Sequence, residues 1–382
     1  MAYPHVIRLR GPWECDRAIA QMALSDGTLT ESARDVSEFA RLKAPADWAE
    51  TLGPEFRGRV SYTRRFNRPT NLEPHDRVWL MAEGVDARGN VTIDSRHLGA
   101  IDGYALAAEW DVTHLLQASS VLSVDIELPP TGAGQPPPVR PGRELLAGGL
   151  IGEVRLEIRR ELYVAGLSVY WQPGRAPQWH ISGRVEGPAS NDSLHLIATA
   201  CDREVAYARV TAGAPFTLCS TIDDWPAWPD PMDEPVLTPV EIRLSDGRST
   251  LWQTTLETAP PQPDAERTRA TMLRSLSGEM TLSWLDYVDR ASDPFQQALS
   301  QPGTVLGLRG ILPDAAYHEL DRANVGVVQQ VPRAWAERVC PRLAHHPCIL
   351  AWALPPGEDQ GVDSRSTPAW AFGRPWLPAV AS

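Results

Sequence analysis

Between Arg59 and Ile126 apolar and polar residues alternate so regularly that the backbone is driven towards pleating. Val78, Leu80 and Ala82 share one parity, as do Val91 and Ile93, and again Leu122, Val124 and Ile126. A period of two puts each set on one face of an extended strand, and turn residues at Asp86-Ala-Arg-Gly89 and Asp102-Gly103 separate the runs. No part of this window has the length or period of a helix. It predicts half-buried antiparallel strands of a β-sandwich.

The remainder of the chain is long enough to hold further domains. Its 382 residues suit two or three, and 43% hydrophobic with 22% charged residues are globular proportions. A net charge of −12 argues against nucleic acid and anionic membrane surfaces as partners. No run reaches membrane-span length, and Met1-Ala-Tyr-Pro-His-Val6 lacks a basic start followed by an apolar core. The expected location is the cytoplasm. Cys15, Cys201, Cys219, Cys340 and Cys348 are scattered and contain no CxxC pair. Buried free thiols are expected, with a Cys201–Cys219 bridge as the alternative.

After the proline-rich stretch Pro129–Pro138, strand patterning resumes with Val154, Leu156 and Ile158 on one parity. Further strands are predicted at 162–170, 179–186, 194–198, 205–210, 216–218, 240–244 and 251–257, a count that suits an immunoglobulin-like sandwich. The acidic residues Asp223, Asp224, Asp230, Asp233 and Glu234 lack calcium-loop spacing and read as a solvated loop. Ala259-Pro-Pro-Gln-Pro263 marks a boundary. Beyond it the pattern becomes βαβαβ, the pattern of a parallel sheet: a strand at 304–308, a helix from Asp314, a strand at 325–328, a helix with Trp335, Val339 and Leu343, and a strand at 347–354.

These segments, in this order, resemble glycoside hydrolase family 2, which includes β-galactosidases, β-glucuronidases and β-mannosidases. Ile7-Arg-Leu-Arg-Gly-Pro-Trp13 is similar to the family's opening strand, and Leu42-Lys-Ala-Pro-Ala-Asp-Trp48 to its connector. Val91-Thr-Ile-Asp94, Leu98-Gly99, Gly103-Tyr104 and Asp111-Val-Thr-His-Leu-Leu116 resemble its sugar-binding jelly roll. Gly303 to Arg309, Tyr317 to Val328 and His345-His-Pro-Cys-Ile-Leu-Ala-Trp352 resemble early units of its catalytic (β/α)8 barrel. One departure is Ser95-Arg96, where the family commonly has Asn-Gly; that turn is expected to be built differently.

The resemblance implies a mainly β, multidomain chain: a jelly roll over 1–145, an immunoglobulin-like sandwich over 146–260, a truncated barrel over 264–358 and an irregular tail over 359–382. It implies β-linked carbohydrate as ligand, with Asp94, Arg96, Asp102, Tyr104, Trp110, Arg309 and Trp352 as candidate binding residues. Trp13 and Trp48 read either as sugar platforms or, more in keeping with large aromatics, as core. No cofactor and no metal is implied. His318, His345 and His346 read as helix-surface or strand-entry residues.

Retaining hydrolysis in this family needs two glutamates, with carboxyl groups about 5–5.5 Å apart. Where the family has Asn-Glu, the register of Trp352-Ala-Leu-Pro-Pro-Gly-Glu358 puts Pro356 and Gly357. Glu358 comes one residue late and is the only candidate acid/base, with Asp286, Asp289 and Glu319 as candidate partners. A full barrel needs roughly 250 residues, more than follow Pro263. The expectation is a carbohydrate-related protein without glycosidase turnover. The alternatives are a scaffold or regulatory subunit that has lost sugar binding, and an active β-glycosidase using Glu358. A three-stranded open sheet would call for a protein partner or self-association to cover it.

Overall fold

The computed structural model describes residues 4–11, 13–24, 28–36, 41–131, 139–172, 178–188, 193–200, 202–221, 237–258, 283–286, 293–356, 358 and 376–377. Residues 132–138 of the proline-rich stretch Pro129–Pro138, the connector expected at 259–263, the acidic residues between 223 and 234, Cys201, Asp289 and Gly357 lie outside them. The architecture is mainly β and many-sheeted. It divides into a unit covering Pro4–Arg160 and a second beginning at Glu161. Among the described residues no helix is long and apolar enough to cross a membrane.

The first unit contains β1 (His5–Arg8), β2 (Trp13–Ala23), β3 (Leu29–Arg34), β4 (Arg41–Leu42), β5 (Ala46–Asp47), α1 (Ala49–Leu52), β6 (Gly58–Asn67) and β7 (Asp76–Ala82). It continues with β8 (Arg88–Ile93), β9 (Arg96–Asp102), β10 (Ala108–Asp111), β11 (Ser119–Leu128), β12 (Gly149–Leu150) and β13 (Val154–Arg160). One sheet runs β1-β13-β7-β10 and the other β3-β2-β6-β11-β8-β9, with β4 beside β2. The period-two pattern is the cause: along β11, Leu122, Val124 and Ile126 are buried while Ser123, Asp125 and Glu127 turn outward. Strands β2 and β6 approach so closely at Gly58, where φ is +139°, that a Cβ would meet the Ile19 carbonyl oxygen at 2.0 Å.

Trp13 and Trp48 are fully buried, so both are core residues and neither offers a face to a sugar. Trp13 meets Tyr62 edge to face at 6.3 Å, and Trp48 meets Phe56 likewise at 5.5 Å. The Trp48 indole N–H donates to Tyr62 Oη at 2.6 Å. A buried, bidentate pair, Arg140 with Asp86, ties the returning chain to the β7–β8 connection.

The second unit opens with two antiparallel sheets. One is β14 (Tyr163–Gln172), β15 (Gln178–Glu186) and β18 (Pro215–Thr221). The other is β16 (Leu194–Ala200), β17 (Arg203–Val210), β19 (Thr238–Ser245) and β20 (Thr250–Thr258), in the order β17-β16-β19-β20. Their core includes Val169, Trp179, Ile181, Leu196, Ile242 and Leu244. All seven strands read from the sequence are present.

A parallel sheet follows: β21 (Ser283–Leu285), β22 (Val305–Leu308), β23 (Gly326–Gln330), β24 (Ile349–Ala353) and β25 (Trp376–Leu377), with α2 (Asp293–Leu299), α3 (Asp314–Arg322) and α4 (Arg333–Leu343) between them. Every residue of β23 and β24 is buried, as both-face covering of a parallel sheet requires. Among the described residues the five strands form an open sheet, not a closed ring. Two corrections follow. The sheet has five strands where three were expected, and Trp376–Leu377, read as irregular tail, pairs in parallel with Trp352–Ala353. Isolated two- and three-residue strands carry too little periodicity to be read from sequence.

Candidate functional site

The first candidate surface is built on β8, β9 and β10. Asp94 and Ser95 form a two-residue hairpin with φ of 46° and 66°, the mirror-image turn that Asn-Gly usually makes. Asp94 stabilises it by accepting the Val121 N–H at 2.8 Å through Oδ1, while its own N–H donates to the Val121 carbonyl at 2.9 Å. The turn therefore sits one residue earlier than Ser95-Arg96. Arg96 starts β9 and Asp102 ends it, both exposed. Seven extended residues put these ends roughly 20 Å apart, so the strand separates Asp94 and Arg96 from Asp102 and Tyr104. Asp102 pairs with Arg88 across the β8–β9 ladder at 3.0 Å. Trp110, on β10 of the other sheet, lays its half-buried indole over Gly99 at mid-β9, where a Cβ would stand 2.7 Å from Nε1.

The second candidate region is the parallel sheet. Arg309, just beyond β22, pairs with Asp286 at 3.0 Å, lies 5.9 Å from the Trp284 ring, and donates its backbone N–H to the Leu285 carbonyl. Asp286 is thus the partner of Arg309. Trp352 has no exposed surface and is a core residue of the sheet. Glu358 is exposed, and its Oε2 accepts the backbone N–H of Arg333 at 2.8 Å. That hydrogen bond satisfies one of the donors left over at the start of α4, where Pro332 provides no side-chain cap.

At the end of β23 the buried Gln329 takes part in a network of neutral groups. Its Nε2 reaches the carbonyls of Leu308, Gly310 and Gln330, and its Oε1 accepts from Tyr317 Oη, which itself accepts the Leu312 N–H. Such a network positions the β22–α3 connection and has no titratable group near neutral pH.

A third cluster was not legible as such. His345 and His346 are buried, and with His318 they bring ring nitrogens within 4.8 Å of one another. His318 lies on α3 and His345-His346 lead into β24, so their places in the chain are as read, and the burial of His345 and His346 against His318 is what the sequence did not show. His346 Nδ1 is 2.8 Å from Asp321 Oδ2, and Asp321 Oδ1 accepts the Cys348 N–H at 2.7 Å. Burial pushes the Asp321 carboxyl up to about 6 and the His345 imidazole down to about 3. The missed signal was spacing: His318 and Asp321 lie three apart on α3 and so share a face.

No protein-family model and no curated protein sequence matches the chain. Solved structures do. A glycosyl hydrolase family 2 member from Bacteroides cellulosilyticus DSM 14838 superposes with a TM-score of 0.63 at 14% identity, over 91% of this chain and 52% of its own. A β-glucuronidase from Bacteroides uniformis gives 0.61 at 15%, over 92% of this chain and 46% of its own. The β-glucuronidase of Bifidobacterium dentium, complexed with coumarin-3-O-glucuronide, gives 0.62 at 15%, over 92% and 69%. The chain spans about half the length of the first two. Its fold is therefore that of glycoside hydrolase family 2-like proteins, with an open catalytic-type sheet among the described residues.

Proposed function

We propose that this is a carbohydrate-related protein of the family 2 type that does not itself hydrolyse glycosides. In this reading the first unit is the jelly roll, the seven strands from Tyr163 to Thr258 are the immunoglobulin-like sandwich, and the parallel sheet corresponds to part of the barrel. The observation that carries it is the state of Glu358, the candidate acid/base carboxylate. It is exposed and occupied by the Arg333 N–H, whereas a retaining acid/base must protonate a leaving oxygen opposite a second carboxylate about 5–5.5 Å away. Its candidate partner Asp286 is engaged by Arg309. Gln329 adds support, because its amide is saturated by neutral partners where acid–base chemistry would call for a titratable group.

The sugar-facing surface in this proposal is the β9–β10 region, with Trp110 as the stacking face and Asp102 and Tyr104 as polar neighbours; Asp94 and Arg96 stand at the far end of β9. A partner chain along the edges of the open parallel sheet belongs to the same proposal. Titration calorimetry with methyl β-glucuronide, β-galactoside and β-mannoside tests it. Weak, saturable heat that is lost in Trp110→Ala supports it. No heat with any of the three favours a scaffold that has lost sugar binding.

A further inference from the structure

We infer that His318, His345 and His346 form a binding site for one divalent ion of the zinc type, pinning α3 and the α4–β24 connection beside the end of β20. The inference goes beyond the carbohydrate reading and does not depend on it. Three imidazoles are the donor set that suits zinc and its first-row neighbours. Their ring nitrogens already lie within 4.8 Å of one another. A tetrahedral ion with bonds of about 2.1 Å needs them about 3.4 Å apart. The difference is within reach of rotation at His318, whose side chain is 21% exposed.

The surroundings have the form that orients metal-bound histidines. His346 directs Nδ1 to Asp321, which is fixed in turn by the Cys348 N–H, so Nε2 would be its ligating atom. His318 turns Nδ1 towards Glu257 Oε2 at 3.6 Å, and its Nε2 is buried with no hydrogen-bond partner among the described groups. The rings already pack together: His345 and His346 are 4.0 Å apart between centroids, and His318 and His346 are 4.8 Å apart. The backbone is anchored as well, because Thr258 Oγ1 donates to the His345 carbonyl at 3.0 Å.

The test uses the full chain after chelator treatment and dialysis. Zinc is titrated by calorimetry, and cobalt(II) is titrated by visible absorption, since a tetrahedral nitrogen-ligated cobalt ion has intense d–d bands. The expected result is one equivalent bound, a raised Tm with zinc, and at least a tenfold loss of affinity in His318→Ala. His318→Cys restores a ligand and should recover binding. His345→Asn is the second variant, and circular dichroism matching the parent qualifies each. His195→Ala, on the distant β16, is the control and should bind as the parent does. Absence of stoichiometric binding, or equal affinity in His318→Ala and the parent, would overturn the site.

Discussion

Glu358 Oε2 lies 2.8 Å from the backbone nitrogen of Arg333, so this carboxylate, one residue past the expected acid/base position, serves the start of α4. The two residues are 25 positions apart, and their contact fastens the segment after β24 to the helix preceding it. A negative group at a helix start is also favoured by the helix dipole. Glu358→Ala should therefore lower stability by about 0.5–1 kcal/mol, while Glu358→Gln, which keeps an acceptor, should cost less. Chemical denaturation of the two variants checks the order.

The Arg140–Asp86 pair makes a larger demand. Asp86 is 2% exposed and Arg140 8%. Asp86→Ala leaves a buried guanidinium without its carboxylate and should cost about 3–5 kcal/mol. Denaturation midpoints measure it, and a loss below about 1 kcal/mol would mean that water reaches the site.

Tyr62→Phe removes one oxygen and leaves the Trp48 indole N–H buried without an acceptor. The expected cost is about 1–3 kcal/mol, far above that of the lost atom's contacts. Tryptophan fluorescence during denaturation is the direct readout, because the affected indole is a reporter.

Much of this was legible because it rests on local rules. The strands from Arg59 to Ile126, the seven strands from Tyr163 to Thr258 and the helices starting at Asp314 and Arg333 follow periodicity, although neither helix has a side-chain cap and Asp314 is the first residue of α3 rather than its cap. The site was less legible, since its determinants are pairings between distant residues. Asp94 is a sequence-visible turn residue, but only the Val121 backbone shows why the turn takes Asp-Ser. His345-His346 read as a strand entry until α3 brought His318 and Asp321 against them. Trp352 matched a family motif, yet motif identity says nothing about exposure. Arg96 and Asp102 are near in sequence, and an extended strand holds them apart.

Acid sensitivity should arise in the β13 face. Burial alone would raise the Glu157 carboxyl, but the guanidinium groups of Arg159 and Arg155 outweigh it and hold the carboxyl below its ordinary range. A depressed folded value gives stability that is complete above the unfolded pKa of about 4.3 and is lost as pH falls through the folded one. Glu157→Gln should therefore flatten the stability–pH curve below about pH 4.3 and leave its shape unchanged near neutrality. Thermal unfolding across that range tests the sign.

The described cysteines should sort by burial. Cys15 is pushed up to about 11 by burial, and Cys340 and Cys348 are buried as well. Cys219 is a free, exposed thiol near His180, which corrects the expectation of burial for that residue. Under native conditions a thiol reagent should label Cys219 well before Cys15, Cys340 or Cys348, and peptide mass mapping reads the order.

The central claim is tested most directly by hydrolysis of nitrophenyl β-galactoside, β-glucuronide and β-mannoside by the purified chain, compared side by side with Glu358→Gln. The account predicts no release above buffer for either protein, because Glu358 is spent on the Arg333 N–H and its candidate partner Asp286 is held by Arg309. Turnover that survives repurification and vanishes in Glu358→Gln would contradict it, making Glu358 a working acid.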